Sequence, residues 1–170
     1  MKLYITGSVG SGKSTLARRI SALTGVRCVH LDEIMYEPDP ADPGDNRKRD
    51  PALRDRMFAD IISGGSWVIE DAGRACFAEG MRAADVVAVL DPPQLKLYFR
   101  VVRRWLRQRL GREKSGYRPD LVMLKLMVRW VGEYDISRFA EYAPKAVYLR
   151  TRAQTERYIS DLIKTEAASQ

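Results

Sequence analysis

Five short apolar runs alternate along the chain with longer segments in which apolar residues return every three or four positions. The runs cover residues 2–6, 26–31, 67–69, 84–90 and 145–149, and each is read as a strand. The longest, Ala84-Asp85-Val86-Val87-Ala88-Val89-Leu90, has the unbroken apolar character of a strand buried on both faces, as in a parallel sheet. Helices are predicted over 14–23, with Leu16, Ile20 and Leu23 on one face, and over 52–63, with Leu53, Met57, Ile61 and Ile62 on one side. Gly64-Gly65 stops the second of these. Further helices are predicted over 94–110, 121–130 and 155–167. Strands alternating with helices, joined by right-handed crossovers, give a three-layer α/β sandwich with a parallel sheet.

Two stretches break the pattern. Residues 37–51 hold four prolines, many charges and almost nothing apolar, so a mobile loop on the acceptor side is expected. Within it Arg47, Lys48 and Arg49 read as a solvated charge run. Residues 107–120 lead from a basic helix end into Gly111-Arg112-Glu113-Lys114-Ser115-Gly116-Tyr117-Arg118-Pro119-Asp120, a short basic lid segment. The helix at 94–110 has two unlike faces. Arg100, Arg103, Arg104 and Arg107 share one stripe with no acidic partner, while Leu95, Tyr98, Val102, Trp105 and Leu106 are expected to pack on the core. Trp130 is also expected in the core.

At 170 residues the chain suits a single domain able to bury a real core. Its formal charge of +7 is concentrated: residues 95–135 carry eleven Lys/Arg against four Asp/Glu, an excess equal to that of the whole chain. Such a segment suits nucleic acid or an anion clamp equally well. No apolar run approaches the ~20 residues of a membrane span, so no membrane partner is expected. The first strand starts at once and leaves no room for a leader peptide. Cys28 and Cys76 lack metal-ligand spacing and His30 is the one histidine, which argues against a zinc site and for reduced, buried thiols in a cytoplasmic protein.

The chemistry sits between the first strand and the first helix. Gly7-Ser8-Val9-Gly10-Ser11-Gly12-Lys13-Ser14-Thr15 fits the phosphate-binding pattern G-x-x-x-x-G-K-[ST] at every fixed position, in the strand–loop–helix context that the pattern needs. The glycines let backbone N–H groups turn inward on a triphosphate. Lys13 is expected to reach the β- and γ-phosphates of ATP, and the Ser14 hydroxyl to bind Mg²⁺. Asp32 follows the second strand, where open α/β sheets bind ligands, so it is a candidate acceptor-binding residue or base. Glu70 ends the third strand where a Walker-B carboxylate holds the metal or its waters, with Asp71 as second choice. Arg74 lies four residues on as a candidate substrate contact. The arginine stripe offers bidentate neutralisation of charge on a transferring phosphoryl group, with Arg100 and Arg104 as catalytic candidates and Arg107 as a substrate contact.

Together the loop GSVGSGKSTLAR, the LDEI after the second strand, WVIE, ADVVAVLDPP and the basic helix running into REKSGYRP resemble the adenylate-kinase-like P-loop proteins described as DNA topology modulation proteins of the FlaR type. The resemblance covers nearly the whole chain. It implies five parallel strands in the order 2-3-1-4-5, nucleotide-phosphate contacts from Arg100 and Arg104, and an acidic residue with an arginine four positions on, matched by Glu70 and Arg74. Gly73 stands where the relatives carry proline before that arginine, and Cys28 to Ile34 differs from their acceptor-binding sequence. Two activities are expected from all this: phosphotransfer from Mg-ATP to a small acceptor such as a nucleotide or nucleoside, or nucleic-acid-dependent ATP use.

Overall fold

A computed structural model describes residues 1–42 and 45–168. Strand β1 (Lys2–Gly7) runs into the phosphate loop and helix α1 (Lys13–Thr24), followed by β2 (Cys28–His30) and a short α2 (Leu31–Met35). A hairpin of β3 (Tyr36–Pro38) and β4 (Asn46–Lys48) leads to α3 (Pro51–Ser63). Next come β5 (Trp67–Asp71), a 3-10 turn at Ala75–Phe77, α4 (Ala78–Ala83) and β6 (Val86–Leu90). Helices α5 (Gln94–Arg109) and α6 (Leu121–Gly132), a 3-10 segment at Ser137–Lys145, β7 (Ala146–Leu149) and α7 (Arg152–Ala168) complete the chain.

The main sheet is parallel throughout, in the order β2-β5-β1-β6-β7. Leaving out the hairpin, that is the expected order 2-3-1-4-5. Successive side chains of a strand face opposite ways, so each strand feeds two cores. Tyr4, Ile69 and Val87 pack with Phe58 of α3, Met81 of α4, and Phe77 and Phe139 of the 3-10 segments. Leu3, Ile5, Val68 and Ala88 pack against Leu16 and Ile20 of α1 and Ile159 of α7. A third cluster, Leu97, Val101, Met127 and Val131, joins α5 to α6, and Val9 of the phosphate loop packs against it.

The 37–51 stretch departs from a structureless loop. Glu37 pairs with Arg47 across β3 and β4, and residues 43 and 44 at the turn lie outside the described residues. Ion pairs do here what apolar packing cannot. The Arg47 guanidinium donates to Glu37 at 2.8 Å, and Arg49 donates to Glu37 at 3.0 Å and to the carbonyls of Ile34 and Tyr36. Arg49 is thus partly buried, while Arg47 and Lys48 are exposed as expected. Asp50 then caps α3 by accepting from Leu53 N–H at 3.0 Å, with Pro51 pre-set at the first helical position.

Helix α5 presents a different side to the core from the one its sequence suggests. Leu97, Val101 and Gln108 are buried, whereas Leu95, Val102 and Leu106 face outward with Phe99. The apolar arc of this helix is wider than the contact it makes: Tyr98 and Trp105 are half-buried against the α5–α6 cluster as expected, the side above the phosphate loop is buried, and the rest of the arc faces out. Trp130 is half exposed rather than core, and Cys76 is exposed rather than buried.

Candidate functional site

The carboxyl ends of β1, β2 and β5 converge on one point. Register aligns His30 of β2 with Glu70 of β5, and Glu70 with Ile5 of β1. Glu70 is almost fully buried and holds three partners there. His30 Nδ1 lies 2.8 Å from Oε2, the Ser14 hydroxyl donates to Oε2 at 3.1 Å, and Lys13 Nζ is 3.4 Å from Oε1. Burial alone would raise the Glu70 pKa, but the His30 hydrogen bond and the Lys13 charge outweigh it and keep the carboxyl below its ordinary range. His30 in turn is pushed up to about 10 by hydrogen bonds to the Cys28 sulfur, 3.8 Å from Nε2, and to Glu70. Lys13 and Ser14, predicted from the loop, and Glu70, predicted from the third strand, therefore meet. Asp71 does not share this site: it accepts from Arg74 N–H and from the Arg74 guanidinium, each at 2.6 Å, and from the Tyr4 hydroxyl.

The phosphate loop is built for an anion. Gly12, with φ of 101°, caps α1 without any side chain, leaving the first-turn N–H groups directed at the loop. The hydroxyls of Ser8 and Ser11 are buried with no hydrogen-bond partner among the described residues. A buried hydroxyl left so costs about 1–3 kcal/mol, so the loop suits an occupant rich in acceptor oxygens. Gly7 and Gly10 complete the same turn, Thr15 follows it in α1, and Arg100 braces it by donating to the Gly10 and Ser11 carbonyls at 3.1 and 3.0 Å. Among the described residues no group of three His, Cys, Asp or Glu side chains is arranged to hold a metal unaided. The donor set Ser14 and Glu70 suits a hard cation that takes most of its ligands from phosphate and water, as Mg²⁺ does.

Asp32 stands in the first turn of α2 with its side chain mostly exposed. Arg74 reaches across to it and bonds Asp32 and Asp71 together, with the Tyr36 ring 5.9 Å away. Burial would weaken the Arg74 cation, but the two carboxylates more than restore it and raise its pKa. The structure thus brings Asp32 and Arg74 together beyond the carboxyl ends of β2 and β5.

The arginine stripe divides. Arg100 belongs to the phosphate loop, while Arg104 and Arg107 point at Glu113 of the lid segment, 3.6 and 3.3 Å away. The stripe therefore does have an acidic partner, supplied from beyond the helix by a loop that periodicity within the helix cannot register. The lid segment is tied down further: Tyr117 donates to Gln108 at 3.0 Å, and Asn46 of β4 donates to the Gly116 carbonyl at 2.6 Å.

Sequence reasoning passed over His30 and Glu113. His30 was legible in one respect: it ends the second strand, and neighbouring parallel strands bring their carboxyl ends together.

No family's sequence profile matches the chain, and no curated protein matches it. Solved structures do. A sugar kinase from a Janibacter species superposes with a TM-score of 0.53 at 17% identity, covering 95% of this chain and 91% of its own. A gluconokinase from Sinorhizobium meliloti gives 0.55 at 15% identity, with 96% of each chain covered. A shikimate kinase from Bacteroides thetaiotaomicron gives 0.52 at 15% identity, again over 96% of each chain. What the chain shares with these proteins, almost end to end, is the α/β fold of the P-loop kinases.

Proposed function

We propose that the chain moves the γ-phosphoryl group of Mg-ATP to a small acceptor. The observation that carries this is the meeting of Lys13, Ser14 and buried Glu70 beside a phosphate loop with unpaired hydroxyls. Residues Gly7 to Thr15 cradle the phosphates with their N–H groups. Lys13 exchanges Glu70 for the β- and γ-phosphates. Ser14 and Glu70 would hold a Mg²⁺ ion, which would neutralise phosphate charge. Arg100 supports the loop and, with Arg104, faces charge that develops in flight; Arg107 contacts the substrate. Asp32 and Arg74 bind the acceptor between β2 and β5. An acceptor hydroxyl would give its proton to Asp32 as the phosphorus–oxygen bond forms and ADP departs. An acceptor phosphate needs no base, and Asp32 then only binds.

The three kinase neighbours support phosphotransfer, and the unpaired Cys28 and Cys76 support a reducing, cytoplasmic setting. The resemblance to DNA topology modulation proteins supplies the competing activity, in which residues 95–135 hold nucleic acid. Coupled measurement of ADP release across nucleosides, nucleotides, sugars and small hydroxy acids decides: turnover that rises with one acceptor class is expected. ATP hydrolysis stimulated by duplex DNA, and by no small acceptor, would reverse the assignment.

A further inference from the structure

Helix α5 turns a continuous apolar ridge away from the protein. Leu95, Phe99, Val102, Leu106 and Leu110 follow at spacings of four, three, four and four, which keeps them on one face. Leu95 is 84% exposed, Phe99 67% and Leu110 64%. The ridge is long: fifteen residue steps at 1.5 Å make about 22 Å. Its flanks are basic. Lys96 and Arg103 lie along one side at helical spacing, Arg109 along the other, and Arg112 just past the end, all exposed. Between residues 94 and 109 there is no acidic residue at all. The nearest acid, Glu113, is engaged by Arg104 and Arg107 on the side towards the lid.

We infer that this face docks on an anionic lipid surface, with the ridge entering the headgroup boundary and the flanking cations snorkelling to lipid phosphates. The charge pattern selects this occupant. A second copy placed ridge to ridge would bring Lys96 and Arg103 against the same cations of its mate, with no acid in either helix to neutralise them. A duplex nucleic acid would satisfy the cations but leave Phe99 and Leu95 in water. A planar anionic surface satisfies both sets at once. No helix among the described residues is long and apolar enough to cross a membrane, so the association is peripheral. The ridge lies outside the nucleotide and acceptor sites, and the inference stands whether or not the chain is a kinase.

Flotation of the full chain tests it, using vesicles of phosphatidylcholine alone and vesicles also containing phosphatidylglycerol. The protein is expected to float only with the anionic vesicles, and less as salt rises. Phe99→Ser and Lys96→Glu with Arg103→Glu should each lower bound protein at least tenfold, with thermal unfolding and ATP protection unchanged. Gel filtration and a duplex-DNA shift assay accompany the flotation. Equal flotation of parent and variants would overturn the inference. So would a dimer that Phe99→Ser converts to monomer, or duplex binding that the charge reversals abolish and Phe99→Ser leaves intact with no flotation.

Discussion

Glu70 satisfies Lys13, Ser14 and His30 at once, and this arrangement makes Lys13 a residue whose loss should spare folding. With Lys13→Ala the carboxylate keeps His30 and Ser14, so unfolding of the nucleotide-free protein should change little. ADP release should fall about 10²–10³-fold, the usual cost of removing one preorganised group that meets developing charge. ATP with magnesium should no longer raise the midpoint of thermal unfolding. His30 sets a pH dependence. Its pKa rises from 6.5 to about 10 on folding, so the native state holds the extra proton between those values and its contribution fades as pH climbs through that window. The thermal midpoint of the metal-free, nucleotide-free protein should therefore drop from pH 7 to 10, and less steeply in His30→Gln. Glu70 acts at the other end: its depressed pKa means a contribution lost as pH falls below the ordinary carboxylate range. The carboxylate, the lysine and the hydroxyl were legible because each occupies a fixed place in a motif. The histidine was legible only by its place at the end of the second strand, because its bond to Glu70 depends on side-chain geometry that no motif fixes.

Among the elements, the turn after β5 is the most constrained. Gly73 has φ of 80°, and a Cβ there would sit 2.7 Å from the Phe139 ring. The guanidinium of Arg138 also holds its carbonyl. Gly73→Ala should destabilise the fold by about 1–3 kcal/mol through overpacking and backbone strain, measured by urea unfolding. Helices and strands were readable where burial is one-sided or complete, as in α1 and β6. The hairpin was not, since Arg47 and Arg49 hold it by ion pairs and carbonyl contacts that leave no periodic trace. The inward side of α5 was misassigned for a related reason. Leu95 and Leu97 are equally apolar, and only the place of Val101 against Gly10 decides between them.

For the molecule as a whole, the layered parallel fold followed from the phosphate loop and the alternation of elements, and the strand order from the family resemblance, whereas the link between residues 107–120 and the helix had no sequence signal. Glu113 holds Arg104 and Arg107. Glu113→Gln should free them for phosphate and tighten ATP binding by a factor of a few, the modest scale of exposed ion pairs, as read by calorimetric titration. The central position of β1 has a separate consequence. Strand β1 pairs with residues 67–71 on one side and 86–90 on the other, and the loop it leads into is braced by Arg100. A truncated chain ending before that arginine carries both neighbours of β1 but lacks the brace on the loop, so ATP should not rescue it from unfolding.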